Sequence, residues 1–195
     1  MKSFFRQYSY SIIKMFVNQF AISIFGIVLA MATLAANNTV LTWIVSIFSI
    51  VFYLFLIYTM TWEIGAKDRI SVDVGKMVYK PFIGFWMALV ANIPNLLIAL
   101  CYSIASPFLD TYRWAQNLNA VTNLLSALLE GMYRGLLSVI VLPNQQKALF
   151  HFWWTYFLIV IPALVTSLVA YIAGFKNFRM FAQYFNKKPN QAMKK

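Results

Sequence analysis

Residues 15–62 read MFVNQFAISIFGIVLAMATLAANNTVLTWIVSIFSIVFYLFLIYTMTW and contain no Asp, Glu, Lys or Arg. A helix of about 20 apolar residues crosses the ~30 Å hydrocarbon core of a bilayer. This stretch is too long for one such helix and long enough for two. Because Asn37 and Asn38 form a short polar turn at its middle, we predict two membrane-spanning helices, over residues 12–35 and 40–62.

Two further runs have the same character. Residues 81–109 contain no charged side chain, and residues 148–175 contain only His151 among His, Asp, Glu, Lys and Arg. These runs predict spans over residues 82–105 and 152–174.

The composition favours lipid as the solvent. The chain is 62% hydrophobic, 18% aromatic and only 11% charged, whereas about a quarter of the residues in a soluble domain are charged. A net charge of +11 would suggest nucleic acid in a soluble protein. Here the basic residues cluster between the apolar runs, so we expect no nucleic-acid partner. The predicted fold is all-α: residues 1–195 form a single integral membrane domain, a polytopic transmembrane helical bundle.

The basic residues also predict orientation. All but three of the 16 lie within residues 1–14, between the second and third spans or after the fourth. Under the positive-inside rule both ends are cytoplasmic, with an amphipathic N-terminus at 1–14, a loop at 63–81 and a basic tail at 175–195. We expect these segments to contact anionic inner-leaflet lipids. Residue usage fits an AT-rich bacterial genome, which predicts a bacterial cytoplasmic membrane.

The N-terminal region has a rival interpretation. Basic residues, an apolar run and a small-residue motif at 30–32 are also features of a secretory signal peptide. The apolar run is longer than a usual signal core, so we favour a retained span.

Residues 116–142 decide the number of spans. Their polar residues recur every three or four positions and form one stripe along a helix, comprising Asn119, Asn123, Ser126, Glu130, Arg134 and Ser138. Glu130 and Arg134 are four residues apart, so an ion pair between them is expected to lower the cost of placing them in lipid.

Two arrangements fit this segment. An outer interfacial or re-entrant amphipathic helix keeps four spans and a cytoplasmic C-terminus. A fifth transmembrane helix would instead place the C-terminus outside the cell. The basic residues after Gly174 favour the first arrangement.

Four residues form the candidate polar intramembrane site. Asn92 and Asn95 flank Pro94 near the middle of the third span, where proline kinks the helix and the amides require partners. Together with Glu130 and Arg134 they could line a substrate path. The alternative is a packing kink held by amide hydrogen bonds between helices.

Small residues at helical spacing predict close helix packing. One stripe comprises Ala127, Gly131 and Gly135, and the other comprises Ala163, Ser167, Ala170 and Gly174. We expect these stripes to pack on each other or on a second copy of the chain.

The chain shows no pattern of catalytic residues, and we expect no enzyme activity, metal or cofactor. It has one His and one Cys, and its five acidic residues are scattered. We predict a small transporter-like protein or the membrane subunit of a larger transport complex, as a homo-oligomer or with a partner membrane or ATPase subunit. The alternative is a scaffold that recruits a cytosolic partner through the basic tail and a docking loop containing Glu63, Asp68, Arg69 and Asp73.

Overall fold

A computed structural model describes residues 2–143 and 146–178. The described chain is helical apart from turns and one pair of two-residue strands. The helices are α1 (Lys2–Ala35), α2 (Thr39–Asp73), α3 (Ile83–Ala91), α4 (Ile93–Ala105), α5 (Arg113–Val139), α6 (Thr155–Leu158) and α7 (Ile161–Phe175). Short 3-10 turns cover Ser106–Phe108 and Leu149–His151, and strands β1 (Val141–Leu142) and β2 (Lys147–Ala148) pair antiparallel. The predicted all-α class is confirmed.

The polar turn at the middle of the charge-free stretch separates α1 from α2. Asn37 adopts a left-handed conformation with φ +49°, which asparagine tolerates better than most residues. The Asn38 side chain caps α2 by accepting a hydrogen bond of 3.0 Å from the Leu41 N–H. The two long helices therefore form an antiparallel hairpin with a three-residue connection.

Helix length and hydropathy give the chain the architecture of a multi-pass membrane protein. Within the described residues, three helices are long and apolar enough to cross a membrane: Phe4–Ala35, Thr39–Asp73 and Thr155–Phe175. A fourth crossing exists if α3 and α4 count as one bent span. Helix α5 does not meet the same criterion, consistent with its polar stripe.

Both helices of the hairpin extend beyond the predicted spans. Residues 2–11, predicted as a separate N-terminal segment, belong to α1, and residues 63–73, predicted as the start of a cytoplasmic loop, belong to α2. Their 34 and 35 residues correspond to about 50 Å at 1.5 Å per residue, well beyond the ~30 Å hydrocarbon core. The helices continue because the extra residues are packed: Tyr8 and Asp68 are both buried. Of the predicted tail at 175–195, residues 179–195 lie outside the described residues.

The other two predicted spans are broken near a proline. Asn92 separates α3 from α4, with a bend of 55° between them. Pro94 lies in the first turn of α4, and Pro162 lies in the first turn of α7. Proline is tolerated there because the first N–H groups of a helix have no intrahelical acceptor. Each proline therefore lies just after the break, in the first turn of the segment that follows it.

The small-residue stripe of α7 packs on α2 and α3. Gly65 of α2 faces the backbone of Tyr171 and Phe175, and Gly174 faces the backbone of Trp62. Gly84 of α3 lies against Ser167. No Cβ atom fits at these glycines without a shift of the neighbouring helix, so the small residues set the close approach of the three helices.

The small-residue stripe of α5 packs elsewhere, on α1 and α2. Gly131 lies against Ser23 and Ile27 of α1, and Gly135 lies against Ser46 of α2 and Ala30 of α1. Gly26 of α1 faces the Met132 backbone in return. Within one copy of the chain, the α7 stripe thus packs on α2 and α3 and the α5 stripe packs on α1 and α2; packing on a second copy stays a prediction. Successive contacts advance in the same direction along α5 and α1, so this part of α5 runs parallel to α1 beside the second half of the first predicted span.

Candidate functional site

Glu130 lies at a break inside α5. Its backbone departs from helical geometry, with φ −128° and ψ 19°, and its side chain is only 5% exposed. Neither carboxylate oxygen has a hydrogen-bond partner within the described part of the chain. Buried ionisable groups are normally paired, because an isolated charge loses its hydration without compensation. This carboxylate is therefore the polar group that most requires an explanation.

A small cleft adjoins this carboxylate. Its lining consists of Ser126, Glu130, Arg134, Leu137, Phe150, Tyr156 and Ile159. The cleft is partly open and has room for about one water molecule. One wall is the polar stripe of α5, and the other comes from the segment that leads into α7.

Arg134 lines the same cleft without forming the expected ion pair with Glu130. Within the described residues, the ion pair in the structure is between Arg69 and Asp73. The Arg134 guanidinium instead lies over the Phe150 ring, with its central carbon 4.9 Å from the ring centroid. The i, i+4 geometry fails because the backbone breaks at Glu130, and because the aromatic face offers the guanidinium a cation–π contact.

Several other polar groups around the cleft have hydrogen-bond partners, whereas the buried Tyr133 hydroxyl near Glu130 has none among the described residues. The Tyr156 hydroxyl donates to the Phe150 carbonyl at 2.9 Å and approaches the Asn123 amide oxygen at 3.3 Å. The Tyr102 hydroxyl donates to the His151 carbonyl at 2.8 Å. Partial burial, followed by repulsion from Lys147 and Arg134, lowers the pKa of the His151 imidazole from its ordinary value, so this side chain is neutral at pH 7. Glu130 and Arg134 also face the cleft, and burial without a partner favours the neutral form of the Glu130 carboxyl.

Asn92 and Asn95 do not line this cleft. They are 3% and 2% exposed and bond locally: the Asn92 amide donates to the Ala88 carbonyl, and the Asn95 amide donates to the Asn92 side-chain oxygen, both at 2.9 Å. The predicted four-residue site therefore separates into two parts. The Asn pair forms local hydrogen bonds at the break between α3 and α4, and the buried Asn95 side-chain oxygen has no partner among the described residues, whereas Glu130 and Arg134 share the cleft.

Replacing Asn92 with alanine is expected to weaken the fold without impairing function. The change removes two hydrogen bonds at a buried helix break, and hydrogen bonds in membrane bundles are worth about 1 kcal/mol each. Equilibrium unfolding in mixed micelles should show a loss of about 1–2 kcal/mol. Solute flux per folded molecule should stay at the wild-type rate. A variant that folds normally and loses flux would place Asn92 in the functional site.

A second buried carboxylate lies where α1, α2 and α7 meet. Asp68 is 5% exposed, and one of its oxygens accepts hydrogen bonds from the Tyr8 hydroxyl at 2.6 Å and the Tyr171 hydroxyl at 2.9 Å. We call these three residues the tyrosine–aspartate cluster. Because Asp68 is buried, its side chain is not accessible to a partner at the predicted docking loop. Of the other docking residues, Glu63 and Asp73 are exposed and Arg69 is partly exposed.

The sequence analysis did not identify several residues that surround these sites. Tyr156 and Phe150 contact the α5 stripe from a distant segment, and Tyr8 and Tyr171 reach Asp68 from other helices. The sequence places Ser126 near Glu130, since both belong to the i, i+4 stripe. Nothing in the sequence distinguishes the four aromatic residues, because aromatic side chains are common throughout this chain. No family model, curated protein or solved structure matches the chain.

Proposed function

We propose that this chain is a small transport-type membrane protein of the bacterial cytoplasmic membrane, with both ends in the cytoplasm. The observation that carries the proposal is the Glu130 carboxylate, buried and unpartnered at a helix break beside a cleft. An ionisable group inside a membrane bundle is expensive to retain, and such groups mark solute or ion pathways. Broken helices at membrane depth are a common way to build such binding sites.

The small volume of the cleft bears on assembly. The cleft at Glu130 has room for about one water molecule. We therefore propose that the complete pathway forms in a homo-oligomer or with a partner membrane or ATPase subunit. The scaffold alternative has weaker support, because Asp68 is buried in the tyrosine–aspartate cluster and Arg69 pairs with Asp73 at 3.7 Å.

Uptake by proteoliposomes tests the proposal. The purified chain is reconstituted alone, and entry of labelled amino acids, amines, carboxylates and sugars is compared with entry into protein-free liposomes. We expect at least one solute class to enter about tenfold faster or more when the protein is present. Uptake of every class at the protein-free rate, with the protein folded and oriented in the bilayer, would contradict an autonomous transport role.

A further inference from the structure

The break in helix α5 is held by two side chains of helix α1. The Ser23 hydroxyl accepts a hydrogen bond from the Gly131 N–H and donates one of 3.2 Å to the Ala127 carbonyl. In a regular α-helix these two backbone groups, four residues apart, would bond each other. The Gln19 amide donates to the Leu129 carbonyl at 3.1 Å, and both α1 side chains are buried. The break is therefore built into the packing of α1 on α5.

This break leaves the Glu130 carboxyl in surroundings that suit a neutral carboxylic acid. The side chain is buried and neither oxygen has a partner among the described residues, so ionisation would cost the hydration of the charge without compensation. The protonated form carries an O–H donor, and the adjoining cleft has room for about one water molecule to accept from it. Because the cleft is partly open, a proton has a route between the carboxyl and the surroundings.

Arg134 has two alternative partners in the same cleft. Its guanidinium lies over the Phe150 ring, 4.9 Å from the centroid, while Glu130 lies one helical turn away and lines the same cleft. A neutral carboxyl attracts the guanidinium little, whereas a carboxylate would draw it into a charge-assisted pair. We infer that Glu130 binds and releases a proton through the cleft, and that Arg134 moves from Phe150 to the carboxylate when the proton leaves. The inference rests on the proposed transport function, for which it names the proton as the coupled ion.

The proton-release step balances in atoms and charge. The carboxyl O–H bond breaks, and the proton forms a new bond to the oxygen of a water molecule in the cleft and leaves from the open side as hydronium. The electron pair of the broken bond stays on the carboxylate, so nothing is oxidised or reduced. The Glu130–Arg134 pair changes from one positive charge to none, and reprotonation reverses each movement. Transfer through one water is within the reach of a positioned carboxyl group.

The other ionisable groups around Glu130 do not supply a competing charge. They comprise Tyr133 of α5, Tyr53 of α2, Tyr156 of α6, His151 of the 3-10 turn before α6, and Lys147 of β2. The tyrosines are neutral near pH 7 because phenols ordinarily ionise at about pH 10, the His151 imidazole is neutral, and Lys147 is exposed. Helix α4 and the 3-10 turn after it contain no Asp, Glu, Lys, Arg or His, and α1 presents Gln19 and Ser23 to the break. Arg134 is therefore the charged group placed to respond to the proton.

Infrared titration of the full chain in nanodiscs tests the proton site directly. The C=O stretch of a neutral carboxylic acid is separate from the bands of carboxylates, and it shifts in D2O when the proton exchanges. We expect the wild type to show such a band near neutral pH, to show its shift in D2O, and to lose it as the pH rises. Glu130→Gln should lack this component at every pH. The exposed control Glu63→Gln should keep it.

Two substitutions should move the titration midpoint of that band in opposite directions. Arg134→Gln removes the cation that stabilises the carboxylate, so the band should persist to a pH about one unit higher or more. Phe150→Leu removes the ring that holds the guanidinium away from the carboxyl, so the midpoint should fall by about half a unit. The exposed control Arg113→Gln should leave the midpoint unchanged. A purely structural role of Arg134 and Phe150 predicts no such opposed shifts.

Coupling to transport is measured separately, with the solute that enters fastest in the uptake experiment. A gradient of about one pH unit across the proteoliposome membrane, applied in either direction, should change uptake of that solute by up to about tenfold in the wild type. The residual uptake by Glu130→Gln should not respond to the gradient. Glu63→Gln should respond as the wild type does.

Other outcomes overturn the inference. A wild type without a neutral carboxyl band attributable to Glu130, or with one that does not shift in D2O, would overturn the proton site. Flux that depends on Glu130 but ignores the pH gradient would overturn the coupling and retain the transport role. A titrating Glu130 band in a protein whose uptake of every solute class equals the protein-free rate would contradict the transport role and retain the proton site. Tryptophan fluorescence and gel filtration establish that each variant is folded.

Discussion

Replacing Glu130 with glutamine is expected to abolish solute flux while making the protein more stable. The amide keeps the shape of the side chain and removes its ability to take up and release a proton, so flux through the proposed pathway should fall about tenfold or more. The unfolding free energy should rise by about 1 kcal/mol, because a buried carboxylate without a partner destabilises the folded state. Proteoliposome uptake and unfolding in mixed micelles measure the two effects.

Glu63→Gln is the matched control for this experiment. Glu63 is exposed on α2, so its amide variant should change neither flux nor stability beyond about 0.5 kcal/mol. A Glu130→Gln protein that loses stability would show that the carboxylate supports the fold. If the Glu130→Gln protein also retained wild-type flux, Glu130 would have no place in the proposed pathway.

Replacing Asp68 with alanine is expected to be among the most destabilising single changes in the chain. The substitution leaves the hydroxyls of Tyr8 and Tyr171 buried without their acceptor, at about 1–3 kcal/mol for each hydroxyl. We therefore expect a loss of about 2–5 kcal/mol in unfolding free energy. Asp68→Asn should lose less, because its amide oxygen can still accept one of the two hydrogen bonds.

Double-mutant cycles separate the tyrosine–aspartate cluster from a general burial effect. Tyr8→Phe and Tyr171→Phe should each be less harmful in the Asp68→Ala background than in the wild type, since the shared acceptor is already gone. Asp73→Asn is the control, because that carboxylate is 66% exposed and its ion pair with Arg69 is worth little. Strictly additive effects would show that the three side chains do not form one unit.

Local sequence features predicted much of the fold. The charge-free stretch with its Asn37 turn indicated the α1–α2 hairpin, and Pro94 indicated a kink in the third predicted span, where the chain bends by 55°. Both features follow from the sequence because span length and proline geometry depend only on neighbouring residues. The extension of α2 through Asp73 was not predicted, because charged residues favour a connector unless another helix covers them.

The candidate site was predicted only in part, for the same physical reason. The spacing of Ser126, Glu130 and Arg134 placed them on one helical face. Their surroundings depend on which helices pack together, and no spacing rule relates Tyr156 or Phe150 to that face. The expected Glu130–Arg134 ion pair assumed a regular helix, whereas the backbone breaks at Glu130. Asn92 and Asn95 were grouped with this pair by polarity alone, and the fold separates them.

Cysteine accessibility at position 130 tests the central claim, a polar cleft inside the membrane bundle, most directly. Cys101, the single native cysteine, is first replaced by serine. Glu130→Cys is then compared with Met132→Cys, whose position is 2% exposed on the same helix and whose backbone faces α1. In proteoliposomes, the silver ion, a membrane-impermeant thiol reagent about the size of the water molecule for which the cleft has room, should react with the cysteine at position 130 and leave the one at 132 unmodified. Equal protection of the two positions would contradict the account.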